Sequence, residues 1–469
     1  TAAYSPIPYL VIGALAMGMQ VLAGHIEITL HVLLISAFYA LGRLFVLWRE
    51  QKTMRPALRL TAWLTIMMLL GLGLGAIQLI PFYEIGRANF REGAVSFAEV
   101  RSWALPYRRI ISFFIPNFFG SPAHHGFFDL VSRQWQPLGL NAHGQINPLC
   151  PNCTHWDIKN AVEAGAYTSI LALTLAGYAI VAAVGQTNMT QHVRRLIYTF
   201  AVLMIISLLF IFGTPAYAIL FYGVPFMNQL HTPFRWIYAF TLSIAVLAGL
   251  GLAHLSRNKI SQIFTLLLLI GGVAGLVGAI AIFFWPGPFI PLSQFVFDRS
   301  GLAQNAFADG QQFLSYQWPN MFKFFLFVFL AGLLFWLVRR LPRHIWPSLA
   351  VVIVALDLLI ANADFNPATD PGPLDFTPPA VAWLKAQQAS DPYFRITSFE
   401  GENNKIFDAN TPMDERIFDV RGYDSVIAKQ YLDFMQLIQT NGDWLHNRIG
   451  PVYDTWAGAL DSALLDLLG

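Results

Sequence analysis

Charge is what this chain has least of. Only 12% of its 469 residues are Asp, Glu, Lys or Arg, about half of the ~25% usual in a soluble domain. That shortage excludes an ordinary water-soluble surface, and a 56% hydrophobic share with a mean hydropathy of +0.52 agrees. The net charge is +2. No basic excess of the kind nucleic-acid binders carry is present, so no nucleic acid is expected as a partner. The P-loop, a GxGxxG after a strand, HExxH and the nucleophile elbow are all missing, which removes nucleotide-using cytoplasmic enzymes. There is no internal repeat and no low-complexity tract. No charged segment precedes a short apolar core at the N-terminus, so no signal peptide is read. The chain begins at Thr1 and stops at Gly469 just after an apolar helix-like stretch. Both ends are expected to be processed or cut.

What the sequence does have is long apolar runs, such as 171–184 and 324–338. Runs near 20 residues match the hydrocarbon thickness of a bilayer, where a helix satisfies its own backbone. Nine spans are read: 8–23, 29–48, 60–80, 165–184, 196–213, 234–254, 262–285, 321–338 and 345–361. Twelve basic residues then fall in four short connections on one face: Arg43, Arg49, Lys52, Arg55, Arg59, Arg194, Arg195, Arg257, Lys259, Arg339, Arg340 and Arg343. That face is cytoplasmic by the positive-inside rule. The segment's N-terminus is then cytoplasmic. The 24–28 turn, loops 82–164, 214–233 and 286–320, and the tail 362–469 lie outside.

The expected fold class is therefore an all-α polytopic membrane protein with about nine transmembrane helices. It carries an extracytoplasmic loop subdomain and a small α/β extracytoplasmic C-terminal segment. The division is 1–81 (helices one to three), 82–164 (long outer loop), 165–361 (helices four to nine) and 362–469 (tail). Short helices lying on the membrane are expected in the long loop, for example 107–115. A loop of that length is rarely structureless unless it is functional. In the tail, 378–389 and 426–439 read as helices and 393–399 alternates like a strand.

Candidate residues gather at the outer ends of the spans. His25 and Glu27 stand at the mouth of the first two. Glu27 reads as a base or metal ligand and His25 as a donor to phosphate, or the pair as a solvated turn. Pro81 is expected to end the third span. Beyond it, Glu84 and Arg87 share a helix face and read first as a surface ion pair. Arg101, Arg108 and Arg109 follow, and adjacent guanidiniums suit a phosphate or simple headgroup contact. His231 and Arg235 precede the sixth span. A cation at a helix start opposes the dipole, so an anion is expected there, a bulk headgroup or a bound substrate.

Cys150 and Cys153 form one CxxC. On an oxidising face a local disulfide leads, ahead of half a zinc site or free thiols. Thr154 stands where haem attachment needs a histidine. Asp357 is the one acidic residue inside a predicted span. A proton-driven transporter normally shows several along a path, so a lipid-linked transporter ranks third among the readings.

Taken in order, 23–25, 78–84, 105–109, 116–120, 214–215, 234–235, 394–395 and 419–424 resemble the bacterial YfhO-like membrane proteins of the GT-C class of glycosyltransferases. The resemblance spans most of the chain. It implies a protein of the bacterial cytoplasmic (inner) membrane that moves a sugar from a polyprenyl-phosphate donor to a cell-envelope acceptor on the outer face. Such enzymes place a catalytic acid in the first outer loop. If residues 8–23 are an internal helix of the family pattern, that loop precedes Thr1. Within the chain the catalytic candidates are Glu27 and His25, and the substrate-binding candidates are Arg235, His231, Arg108, Arg109 and Glu84. Some members of the class use a divalent cation and others do not, and no ligand cluster decides between them here. The competing reading is a catalytically inactive accessory subunit of a larger membrane complex.

Overall fold

The computed structural model describes residues 5–89, 95–124, 126–138, 156, 165–185, 189–225, 227–229, 233–255, 262–338, 340–342, 345–363, 365–366, 370–372, 376–391, 393–400, 407, 409–424, 426–439, 448–449, 452–453, 459 and 461–468. Helices dominate. In chain order they are α1 (Ile7–Leu22), α2 (Ile26–Gln51), α3 (Arg55–Leu74), α4 (Ala76–Arg87), α5 (Phe97–Ser102) and α6 (Ile170–Gly185). Then come α7 (Gln191–Ile211), α8 (Ala218–Gly223), α9 (Ile237–Leu255), α10 (Gln262–Phe284), α11 (Ile290–Phe297) and α12 (Gly301–Ala306). The last are α13 (Gly310–Leu337), α14 (Trp346–Ala361), α15 (Pro379–Ser390), α16 (Thr411–Asp414), α17 (Lys429–Ile438) and α18 (Ala463–Asp466).

Six of these are long and apolar enough to cross a bilayer: α2, α3, α7, α9 with the turn from Pro233, α10 and α13. The apolar helices α1, α6 and α14 are shorter, at 16 residues each. On α10, Ile263, Leu267, Ile270 and Val277 all stay exposed. A helix that is apolar on every side is at home in lipid.

The chain divides into two compact units. One comprises 1–33, 43–94 and 369–469. Here α1 packs on α3, with the Gly71 backbone against Met17 and the Gly75 backbone against Val21. A Cβ at Gly75 would lie 2.5 Å from Val21 Cγ1, so only glycine allows this approach. The expected single span 60–80 is therefore two helices. The break falls at Gly75, and Pro81 sits inside α4 rather than ending the span. Proline gives up only its own N–H bond there, while the close approach decides where the axis changes.

In the tail, α15 occupies the expected helical stretch almost residue for residue. The expected strand 393–399 is reduced to a single bridge at Ile396 and the two-residue strand Phe399–Glu400. At the bridge the Ile396 N–H donates to Phe418 and the Ile396 carbonyl accepts from Val420. Arg421, buried nearby, fills its fork with Asp419 (2.7 Å), the Phe407 carbonyl (2.7 Å) and Ser398. Val420, Ile427, Met435, Ile438 and Ile449 form the small core beneath it.

The other unit comprises 34–42 and 95–368. Its bundle packs α6 on α9, α7 on α9 and α10 on α13. A hairpin, Gly126–Phe128 with Trp135–Pro137 antiparallel, covers one end of α13. Phe119, Phe127, Trp156, Phe307, Phe313 and Tyr316 bury themselves together there. Polar side chains on the first turns of α13 fasten this covering segment. Ser315 Oγ accepts from the Leu130 N–H (3.0 Å), Gln317 donates to the Phe118 carbonyl (2.7 Å), and Asn320 donates to the Asn117 carbonyl (3.2 Å).

Candidate functional site

The arginine-bearing segment starts from α5. Ser96 caps this helix by accepting from the Glu99 N–H at 3.1 Å, as an N-cap serine does. Arg101 Nε then donates to the Gly213 carbonyl at 2.7 Å, and the Leu105 N–H bonds the Ile211 carbonyl at 3.0 Å. After Pro106 the chain winds into a 3-10 helix, Tyr107–Phe113, matching the short helix expected there. Successive residues of a 3-10 helix point about 120° apart. Arg108 is accordingly exposed, while Arg109 is buried with its guanidinium 5.4 Å from the Phe119 ring centre. The adjacent arginines do not present one face.

The outward side of the same stretch is mostly aromatic and aliphatic. Trp103, Tyr107, Ile110 and Phe114 are all exposed beside Arg108. Tyr107 also stacks on Phe212, with ring centres 5.4 Å apart. Arg235 belongs to the same unit. It sits half-buried in the 3-10 turn Pro233–Trp236 that leads into α9, between buried Phe234 and Trp236. His231, Cys150 and Cys153 lie outside the described residues.

His25, Glu27 and Glu84 belong to the other unit. His25 is the N-cap of α2, and its Nδ1 accepts from the Ile28 N–H at 3.4 Å. A neutral ring that accepts at Nδ1 carries its proton on Nε2. Glu27 is half-buried in the first helical turn, where the dipole favours a carboxylate. One turn on, buried His31 turns its Nδ1 to the Glu27 carbonyl at 2.8 Å. Glu84 is exposed on α4. The expected Glu84–Arg87 ion pair is not formed. The Arg87 guanidinium lies over the Tyr83 ring instead, 5.9 Å from its centre, because an arginine stem gains more from an adjacent aromatic face than from a solvated carboxylate.

A third cluster escaped the sequence reading, apart from Asp357. Near the end of α14, buried Asp357 accepts from the Tyr167 hydroxyl at 2.5 Å and from the Ile170 N–H at 2.9 Å. Asn117, Asn320 and Lys323 line the same crevice. Lys323 is within α13, in the stretch expected as a span, and its single positive charge was the signal to follow. A charge there costs about 2.5–3.5 kcal/mol even on the lenient insertion scales.

Asp129 anchors the tip of the covering hairpin. Its Oδ1 accepts from the N–H groups of Val131 (2.8 Å) and Ser132 (2.7 Å), and Gln311 of α13 donates to its Oδ2 at 3.1 Å. Burial pushes this carboxyl up, but the donors outweigh burial and hold it below 3.8. A depressed carboxylate stabilises the fold fully above its unfolded value of 3.8 and loses that contribution as the pH falls through the folded value. We expect Asp129→Asn to cost about 1–2 kcal/mol near neutral pH. The gap in unfolding temperature from the wild type should close below pH 3.8. A gap that stays constant through that range would show that the ionised carboxylate contributes nothing.

Among the described residues, no group of three or more His, Cys, Asp or Glu side chains gathers as a cation site. The fold and these clusters define a helical, membrane-embedded protein with a capped bundle and a small mixed tail. No family model, curated protein or solved structure matches the chain.

Proposed function

We propose that this protein is a YfhO-like, GT-C-type membrane glycosyltransferase that moves a sugar from a polyprenyl-phosphate donor to a cell-envelope acceptor on the outer face of a bacterial cytoplasmic membrane. In this reading α1, α6 and α14 cross the membrane with the six longer helices, giving nine spans. At 16 residues each they are about 24 Å long, a little short of the hydrocarbon core. The arginine-rich connections face the cytoplasm, and the covered end of α13 and the tail face outward.

The observation that carries the reading is the segment around Arg108. An exposed guanidinium flanked by exposed Trp103, Tyr107, Ile110 and Phe114 suits a membrane interface and the phosphate of a lipid carrier. In the reaction, the acceptor oxygen attacks the anomeric carbon as the bond from that carbon to the phosphate oxygen breaks. The acceptor's proton passes to a carboxylate that serves as the base. Arg108 and Arg235, assisted by His231, hold the charge that develops on the leaving phosphate.

Arg235→Ala and Arg108→Ala should each lower transfer in proteoliposomes supplied with a labelled polyprenyl-phosphate sugar by about 10²-fold, the scale of one lost transition-state donor. Protein yield and unfolding temperature should stay at wild-type values. Turnover within twofold of wild type in both variants would remove the two arginines from the site.

One observation favours the accessory-subunit reading. In the unit that holds both arginines, the buried carboxylates Asp129 and Asp357 are already committed to hydrogen bonds within the fold. The same assay separates the two readings, because an accessory subunit transfers nothing at wild type.

A further inference from the structure

The crevice beside Lys323 is unexplained by sugar transfer at Arg108 and Arg235. Its walls come from α13, α14, the start of the α6 segment and the chain just after the 3-10 helix. Its free space is only about 20 Å³, room for a single water. A whole head group cannot enter it, so a ligand must lie across its opening. There the walls are apolar, with Phe114, Ile115, Phe324 and Ile360 among them. Phe114 and Ile360 are themselves exposed, at 46% and 37%, so the apolar wall continues to the outside of the bundle.

The polar groups in the crevice are unequally used. Tyr167 donates to Asp357, and Asp357 also accepts from the Ile170 N–H. The Asn320 amide donates to the Asn117 carbonyl and to Gln317, and the Asn117 amide reaches the Ala361 carbonyl at 3.5 Å. Lys323 differs. Among the described residues no carboxylate lies within ion-pairing distance of its ammonium, although Asp357 lines the same crevice. An ammonium offers three donors and accepts nothing. What the ammonium lacks is an anion within bonding distance, beside a greasy wall.

We propose that a lipid-borne phosphate sits across the opening of this crevice, the Lys323 ammonium bonding the phosphate oxygens and the tail lying along Phe324, Ile360 and Phe114. The chemistry recognised is a phosphate ester on a hydrocarbon chain. A glycerophospholipid and a polyprenyl phosphate both offer it.

The test measures lipid retention by native mass spectrometry of the full chain in detergent, with three probes: phosphatidylglycerol, farnesyl phosphate and inorganic phosphate. Wild type should retain one lipid molecule, and Lys323→Gln should weaken retention about tenfold, the scale of one charge-assisted bond. Lys323→Arg should restore it to within about threefold. Preference for phosphatidylglycerol would identify a membrane phospholipid as the occupant, and preference for farnesyl phosphate a polyprenyl carrier. Retention is scored on wild type and the Lys323 variants with no sugar donor present, so this result stands apart from any failure of the transferase reading. Equal retention by wild type and Lys323→Gln, or competition by millimolar inorganic phosphate alone, would overturn the proposal. Should Lys323→Gln fail to fold, loss of retention in a folded Lys323→Met variant supports the site and undiminished retention rejects it.

Discussion

Replacing Asp357 with alanine should destabilise the protein by about 3 kcal/mol or more. The carboxylate is 2% exposed and satisfies two donors at once, the Tyr167 hydroxyl and the Ile170 N–H. Ile170 is the first residue of α6, whose leading N–H groups have no partner within the helix. Asp357 therefore acts as a long-range N-cap, reaching from the end of α14 to the start of α6. Removing it strands both donors in a region where water is scarce, at about 1–3 kcal/mol each. The measurement is the unfolding temperature of the purified protein in detergent. Asp357→Asn keeps an acceptor for one donor and should lie between wild type and alanine. Tyr167→Phe combined with Asp357→Ala should cost less than the two changes separately, because they share one bond. An alanine variant within about 0.5 kcal/mol of wild type would show that α6 does not depend on this cap.

The sequence told much about the helices and little about the chemistry between them, for reasons visible in particular residues. Apolar runs mark spans because lipid admits no other pattern, so most of the nine predicted runs coincide with a helix to within a few residues. The start of α13 was missed by eleven residues, at Gly310 rather than 321. Gln311, Ser315, Gln317 and Asn320 make its first turns look like a polar loop. Those same side chains bind the hairpin and the chain before it, so the hydropathy dip records a function of the helix rather than its absence. The break at Gly75 was invisible because it depends on Val21, more than fifty residues away in sequence. Arg108 and Arg109 looked equivalent because spacing in sequence does not reveal a 3-10 winding. Lys323 stands among apolar sequence neighbours that hide it in a hydropathy reading, and that contrast is what makes an intramembrane charge informative.

The opposite extreme, a site with no chemistry, should be the most fragile. Gly251 of α9 lies against the backbone of α6, and a Cβ there would sit 2.2 Å from the Leu175 carbonyl oxygen and 3.0 Å from its carbonyl carbon. The obstacle is backbone, so no side-chain rotation relieves it. Carbon atoms prefer about 3.5–4.0 Å, so Gly251→Val must push the helices apart by more than an ångström. Leu171, Leu175, Ala179 and Leu247, all nearly inaccessible, would lose contact together. In lipid, close packing replaces the hydrophobic drive between helices, which makes that loss hard to recover. We expect Gly251→Val to cost at least about 3 kcal/mol and to leave little monodisperse protein after mild heating. Gly249→Ala, two residues away with open space around it, should be tolerated. Because the turn carrying Arg235 runs straight into α9, the proposed transferase function adds that any surviving Gly251→Val protein should lose more transfer than its folded fraction explains. Equal thermal behaviour of the two glycine variants would refute the close α6–α9 approach, and with it the idea that a bare backbone contact sets the position of Arg235.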